Sequence, residues 1–143
     1  MFLKKTSSSM AQTDRWQQRL HNLNKAFDCF ERACAIPHPD EVYRAGILHM
    51  FQMSFELCWK TLKDKLAYEG IDAASPRDTL KKAFAAGLIE TPELWLKALE
   101  TRNTFTHAYD EEMSIQSLKV ITSDYLPLLR SCVNKLNSQA SDS

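Results

Sequence analysis

Apolar residues recur at helical spacing through most of this chain, and no competing pattern interrupts them. Trp16, Leu20, Leu23, Phe27, Phe30 and Cys34 follow one another at steps of 4, 3, 4, 3 and 4. That lays one unbroken apolar stripe along a helix of several turns. No segment sustains the period-2 alternation of a half-buried strand. Three glycines and five prolines leave few turns between the rods. The expectation is an all-α fold, and 143 residues suit a single domain with a sizeable core.

Start and stop signals divide the chain. Thr13 and Asp14 are placed to cap the first helix, so residues 1–12 read as a disordered leader. Met1 to Lys5 gives way at once to Thr6-Ser7-Ser8-Ser9, which lacks the apolar core of a secretory signal. Pro37 and Pro39 end the first helix, and Asp40 caps a second that runs to about Glu69. On that second helix Ile47, Phe51, Ser54, Cys58 and Leu62 form one stripe, which Met50, Phe55, Trp59 and Leu66 widen. So wide an apolar surface meets more than one neighbouring layer. Either it is the central helix of a monomer, or part of it meets a second copy of the chain. Lys60, Lys63 and Lys65 near its far end read as a solvated face.

Gly70 closes the second helix, and Ser75-Pro76 opens a short third that ends at Gly87. Thr91-Pro92-Glu93 repeats the start signal for a fourth. In the last helix Ile115, Leu118, Thr122, Tyr125, Leu129, Cys132 and Leu136 keep 3,4 spacing straight through Pro127. The spacing predicts a kinked but continuous rod. The architecture expected is an up-and-down four-helix-type bundle over residues 13–137, one arm split into two shorter helices, with a disordered tail at 138–143.

Charge and cysteine usage narrow the class. Lys+Arg and Asp+Glu both number 18, so net charge is zero. A protein devoted to gripping duplex DNA is usually basic, so nucleic acid has to be met through a local patch. Cys29, Cys34, Cys58 and Cys132 have no C-x-x-C spacing and fall within helical pattern. They read as reduced core residues of a cytoplasmic protein, not as disulfides or a zinc site. The most apolar region, Ala45 to Trp59, is broken by His49, Gln52 and Glu56, which argues against a membrane span. Nothing resembles a phosphate-cradling glycine loop, a G-x-S-x-G turn or an H-E-x-x-H helix. No cofactor and no metal are expected. His21, His38 and His49 are isolated and carry no assigned role.

One stretch stands out, Arg102-Asn103-Thr104-Phe105-Thr106-His107-Ala108-Tyr109-Asp110. Trp95, Ala98 and Leu99 mark the inward face of the fourth helix, and Arg102 is next on that face. An Arg on an apolar stripe needs a partner. It either caps the helix end or faces a pocket that holds an anion. Glu56, inside the apolar tract of the second helix, is the expected partner. On an ideal helix His107 lies about 140° from Arg102, so the two converge only where the helix ends or loosens between Thr104 and His107. Tyr109 returns almost to the Arg102 face. A neutral imidazole takes a proton from a ribose hydroxyl, and a guanidinium stabilises charge developing on the adjacent phosphate. Asn103 is placed to orient either the phosphate or His107. Asp110-Glu111-Glu112 read as helix-start electrostatics, ahead of metal binding.

The phrase Arg102-Asn103-x-x-x-His107-Ala108-Tyr109 resembles the R-N-x-x-x-H-x-Y signature of HEPN domains. Phe55-Glu56-Leu57-Cys58-Trp59-Lys60-Thr61-Leu62-Lys63 and the Ser75-Pro76-Arg77 turn resemble the branch called nucleotidyltransferase substrate-binding proteins, over about residues 13 to 136. The resemblance implies a two-fold homodimer whose two motifs line one cleft for nucleotide or RNA. It implies a partner, a small and separately encoded nucleotidyltransferase. In toxin–antitoxin members the HEPN protein is a metal-independent RNase toxin with Arg102 and His107 as catalytic residues. The partner silences it by transferring AMP to the motif tyrosine, here Tyr109. The branch name carries a different expectation, a non-catalytic subunit that binds nucleotide or substrate for the transferase.

Overall fold

The computed structural model describes the backbone of residues 2–105 and 111–142, and the side chains of residues 15–105 and 114–141. Every regular element among them is helical: α1 (Phe2–Cys34), α2 (Glu41–Tyr68), α3 (Pro76–Ala85), α4 (Pro92–Thr104), α5 (Glu111–Val120), a π-helical turn (Ile121–Tyr125) and α6 (Leu126–Asp142). α1 begins well before the expected Thr13–Asp14 start, although its first described buried side chain is Trp16. α6 likewise continues past Asn137, where a polar tail was expected, to Asp142. Asn137 is itself engaged, exchanging two side-chain amide hydrogen bonds with Asn24 of α1 at 3.0 and 2.9 Å.

The caps explain the breaks. The Asp40 carboxylate accepts from the Tyr43 N–H at 2.9 Å, so α2 starts where the prolines release the chain. Its other end is a Schellman closure: Gly70 has φ +84°, its N–H donates to the Ala67 carbonyl, and the Ile71 N–H donates to that of Leu66. Gly87, with φ +77°, closes α3 in the same way, with Leu88 donating to Ala83. Ser75 caps α3 by accepting from the Asp78 N–H at 3.1 Å, with Pro76 in the first turn. Thr91 departs from expectation. Its backbone is left-handed, and its hydroxyl donates to the Glu90 carbonyl, so α4 has no side-chain cap.

The last rod is continuous, as the spacing predicts, and it carries a π-helical turn ahead of Pro127. Pro127 has no N–H to give to the preceding turn. The helix widens over Ile121–Tyr125, and the Leu126 N–H reaches back to the Ile121 carbonyl. The wider turn shifts the buried face of α5 by one position. Ser114 and Ile121 are buried, whereas the expected Ile115 is exposed and Thr122 is only half-buried. From the end of that turn onward Tyr125, Leu129, Cys132 and Leu136 hold the expected face.

All the long elements share one core, and α2 is its axis. Phe51 meets Phe30 of α1 at 6.2 Å between ring centroids and stacks on Tyr125 at 5.4 Å, while Phe55 meets Trp95 of α4 at 6.0 Å. Aromatic pairs of this kind add about 0.5–1.5 kcal/mol each beyond their buried area. They also fix how α4 lies against α2, which positions the last turn of α4. Of the four cysteines only Cys58 and Cys132 are core residues. Cys34 is half-buried and Cys29 exposed, and all four are free thiols.

Candidate functional site

The site is built on the last turn of α4. Trp95, Ala98 and Leu99 are buried against α2, and the same face carries Arg102 toward it. The Arg102 guanidinium is 24% exposed and forms an ion pair and hydrogen bond from Nη2 to the Glu56 carboxylate. Its Nη1 donates to the Asn103 side-chain oxygen at 2.8 Å. Toward the described residues two of five guanidinium N–H groups are so engaged, which leaves donors for a further anion. The Arg also sits where the helix dipole is negative, which favours a cation.

Glu56 gathers more than one cation. Lys60, one turn along α2, brings Nζ to 3.6 Å from Glu56 Oε1. Burial pushes the Glu56 carboxyl upward, but the hydrogen bond and charge of Arg102 and the charge of Lys60 outweigh it. The net effect holds the group below its ordinary value of 4.5. Glu56 is therefore an anion across the neutral range, and the cluster Arg102–Glu56–Lys60 carries one net positive charge.

α4 ends at Thr104, with Phe105 as its C-cap. The helix stops where convergence of Arg102 and His107 requires it to stop. His107, Tyr109 and Asp110 lie outside the described residues, as do the side chains of Glu111 and Glu112. Of the expected site residues, the structure brings together Arg102, Asn103 and Glu56.

Reading by sequence missed Lys60. Lys60 was expected on a solvated face, yet it pairs with Glu56, and the i, i+4 spacing of the two was the available signal. Lys65, expected on the same solvated face, is 5% exposed and lies among aromatic rings. A second feature was not legible at all. On the other flank of α4 a polar groove of about 400 Å³ runs toward the π-helical turn, past Glu100, Thr101, Thr104 and Asp124. At its floor the Thr101 and Tyr125 hydroxyls share a hydrogen bond of 2.8 Å.

α2 also presents a partly exposed apolar ridge, of which Met50 and Leu57 still pack against the core. Gly46, Met50, Met53 and Leu57 follow at i, i+4, i+7 and i+11, with Val42 and Tyr43 at its start. Val42 is 79% exposed and Met53 48%. Glu56 and Lys60 border this ridge, so the Arg102 pair stands at its edge.

Comparisons with known proteins bear on the family and the fold. A family model described as "Nucleotidyltransferase substrate binding protein like" matches residues 18–138. A protein of Haemophilus influenzae named "Probable ribonuclease HepT" is 30% identical over 76 residues, 50% of this chain and 52% of that protein. The matched stretch thus spans about half the length of that relative. The crystal structure of a protein from Thermus thermophilus superposes with a TM-score of 0.73 at 26% identity, covering 80% of this chain and 98% of the other.

Proposed function

The chain belongs to the nucleotidyltransferase substrate binding protein like family, and from that premise we propose that it is a HEPN-type, metal-independent ribonuclease, silenced when a separately encoded nucleotidyltransferase transfers AMP to Tyr109. The observation that carries the proposal is the placement of Arg102. Its guanidinium sits at the end of α4, held by Glu56 and Asn103, with donors still unspent. His107 acts as general base and removes the proton of a ribose 2′-hydroxyl. The 2′-oxygen attacks the adjacent phosphorus, the bond to the 5′-oxygen breaks as that oxygen takes a proton from solvent, to which the His107 imidazolium returns its own, and a 2′,3′-cyclic phosphate and a 5′-hydroxyl end result. Arg102 stabilises the charge that builds on the phosphate; Asn103 and, before substrate arrives, Glu56 hold the guanidinium in place.

Two copies form the working unit in this reading, each an up-and-down bundle over residues 13–137. The apolar ridge of α2 is the surface that supports it, because burying Val42, Met50 and Met53 against a second copy sets two motifs beside one cleft. AMP on Tyr109 adds a bulky anion beside Arg102, which competes with the substrate phosphate. The relative named as a probable ribonuclease favours cleavage. The family description favours a second reading, a non-catalytic subunit that holds nucleotide or substrate for the transferase.

Expression of the chain alone tests the first reading. Growth arrest relieved by His107→Ala is expected, and unimpaired growth with the wild-type chain would overturn it. Co-expression with the transferase should add mass in AMP units, and Tyr109→Phe should abolish the addition. Tight nucleotide binding without RNA cleavage would select the second reading.

A further inference from the structure

We infer that the Glu56 carboxylate occupies a phosphate position, and that Lys60 is a second phosphate contact, beside Arg102, for single-stranded RNA. The inference rests on the ribonuclease reading above for its ligand class, but not for its geometry. The two Glu56 oxygens are divided between two cations, with Arg102 on Oε2 and Lys60 on Oε1. A carboxylate and the two non-bridging oxygens of a phosphodiester present the same forked acceptor, which is why guanidinium groups bind either. An anion arriving from solution therefore finds both donors already spaced for it, with an internal anion in its place.

Among the described residues, Lys60 is not committed elsewhere. Its distance of 3.6 Å from Glu56 is that of an ion pair without a tight hydrogen bond, and it is 41% exposed. It lies 6.0 Å from the centroid of the Trp59 ring, the outer limit of a cation–π contact. Arg19 contrasts with it. That Arg grips Asp64 at 2.6 Å, and a third group has little to gain there. The Glu56 cluster is a local positive site on a chain of zero net charge, which is what recognition of RNA by a neutral protein requires. Exchange with substrate is reversible. The phosphate takes the Glu56 position, and Glu56 returns when product leaves.

The test uses the full chain and a single-stranded RNA bearing 2′-O-methyl groups, which binds but lacks the attacking hydroxyl. Affinity is measured across a range of salt. Lys60→Gln should weaken binding several-fold and make the slope of log K against log salt shallower by about 0.7, the loss of one single-strand phosphate contact. Lys60→Arg should keep the slope, and Glu56→Gln should tighten binding several-fold. An unchanged slope in Lys60→Gln, no tightening in Glu56→Gln, or no binding by the wild-type chain would each overturn the inference. Cleavage of unmethylated RNA is scored separately. Absence of cleavage with the slope change intact overturns the ribonuclease reading alone, and cleavage with an unchanged slope overturns this inference alone.

Discussion

Two cations in this molecule, Lys65 and Arg102, lie on otherwise apolar helix faces, and they are satisfied in different ways. Lys65 is 5% exposed, its ammonium 4.8 Å from the Trp16 ring centroid and 5.0 Å from that of Tyr68, with Glu69 at 3.1 Å. Its charge is consumed by two ring faces and a carboxylate, and the side chain joins α1 to α2. Arg102 keeps a more open position, shares Glu56 with Lys60, and spends only part of its donor capacity. A cation fully satisfied inside the fold stabilises it. One held by a partly exposed carboxylate is available to a ligand.

The largest expected effect sharpens that contrast. Arg102→Ala should lower RNA cleavage by about 100-fold or more, as loss of a charge-stabilising donor does. Denaturant melts should show a loss of only about 1–3 kcal/mol. Destabilisation with full activity would reduce Arg102 to a helix cap. Lys65→Ala is the mirror experiment. Chemical denaturation should register about 2–3 kcal/mol lost, from the buried stem and its ring contacts, with cleavage per folded molecule unchanged. Lost cleavage in a folded Lys65→Ala protein would break the comparison.

Smaller effects follow at the neighbouring contacts. Thr101→Val removes the partner of the buried Tyr125 hydroxyl, and thermal unfolding should report about 1–2 kcal/mol. The smallest effect is an acid dependence. The folded Glu56 carboxyl titrates below its unfolded value, so its contribution is complete above the unfolded pKa and disappears as pH falls through the folded one. Wild-type stability should therefore drop more between neutrality and acid than that of Glu56→Gln, by less than about 1 kcal/mol for so open a pair. Parallel pH profiles for the two proteins would argue against the charge assignment.

Much of this was legible from local chemistry. The Asp40 cap, the Gly70 and Gly87 closures and the buried stripe of α2 are fixed by residues a few positions apart, and each was found where the pattern places it. The pairing of Glu56 with Arg102 was also readable, because a guanidinium on an apolar stripe demands an anion and the facing helix offers Glu56. What failed had a common cause. The one-residue shift in α5 arises from the way a helix absorbs Pro127, which spacing alone does not reveal. Lys60 and Lys65 look alike in sequence, yet packing sent one to Glu56 and the other between two rings. The sequence by itself determined the helices, the breaks between them and the family to which they belong, since those depend on side chains within a turn or two of one another. Only the tertiary structure decided which cations are spent and which remain open, because that depends on groups brought together from helices far apart in the chain.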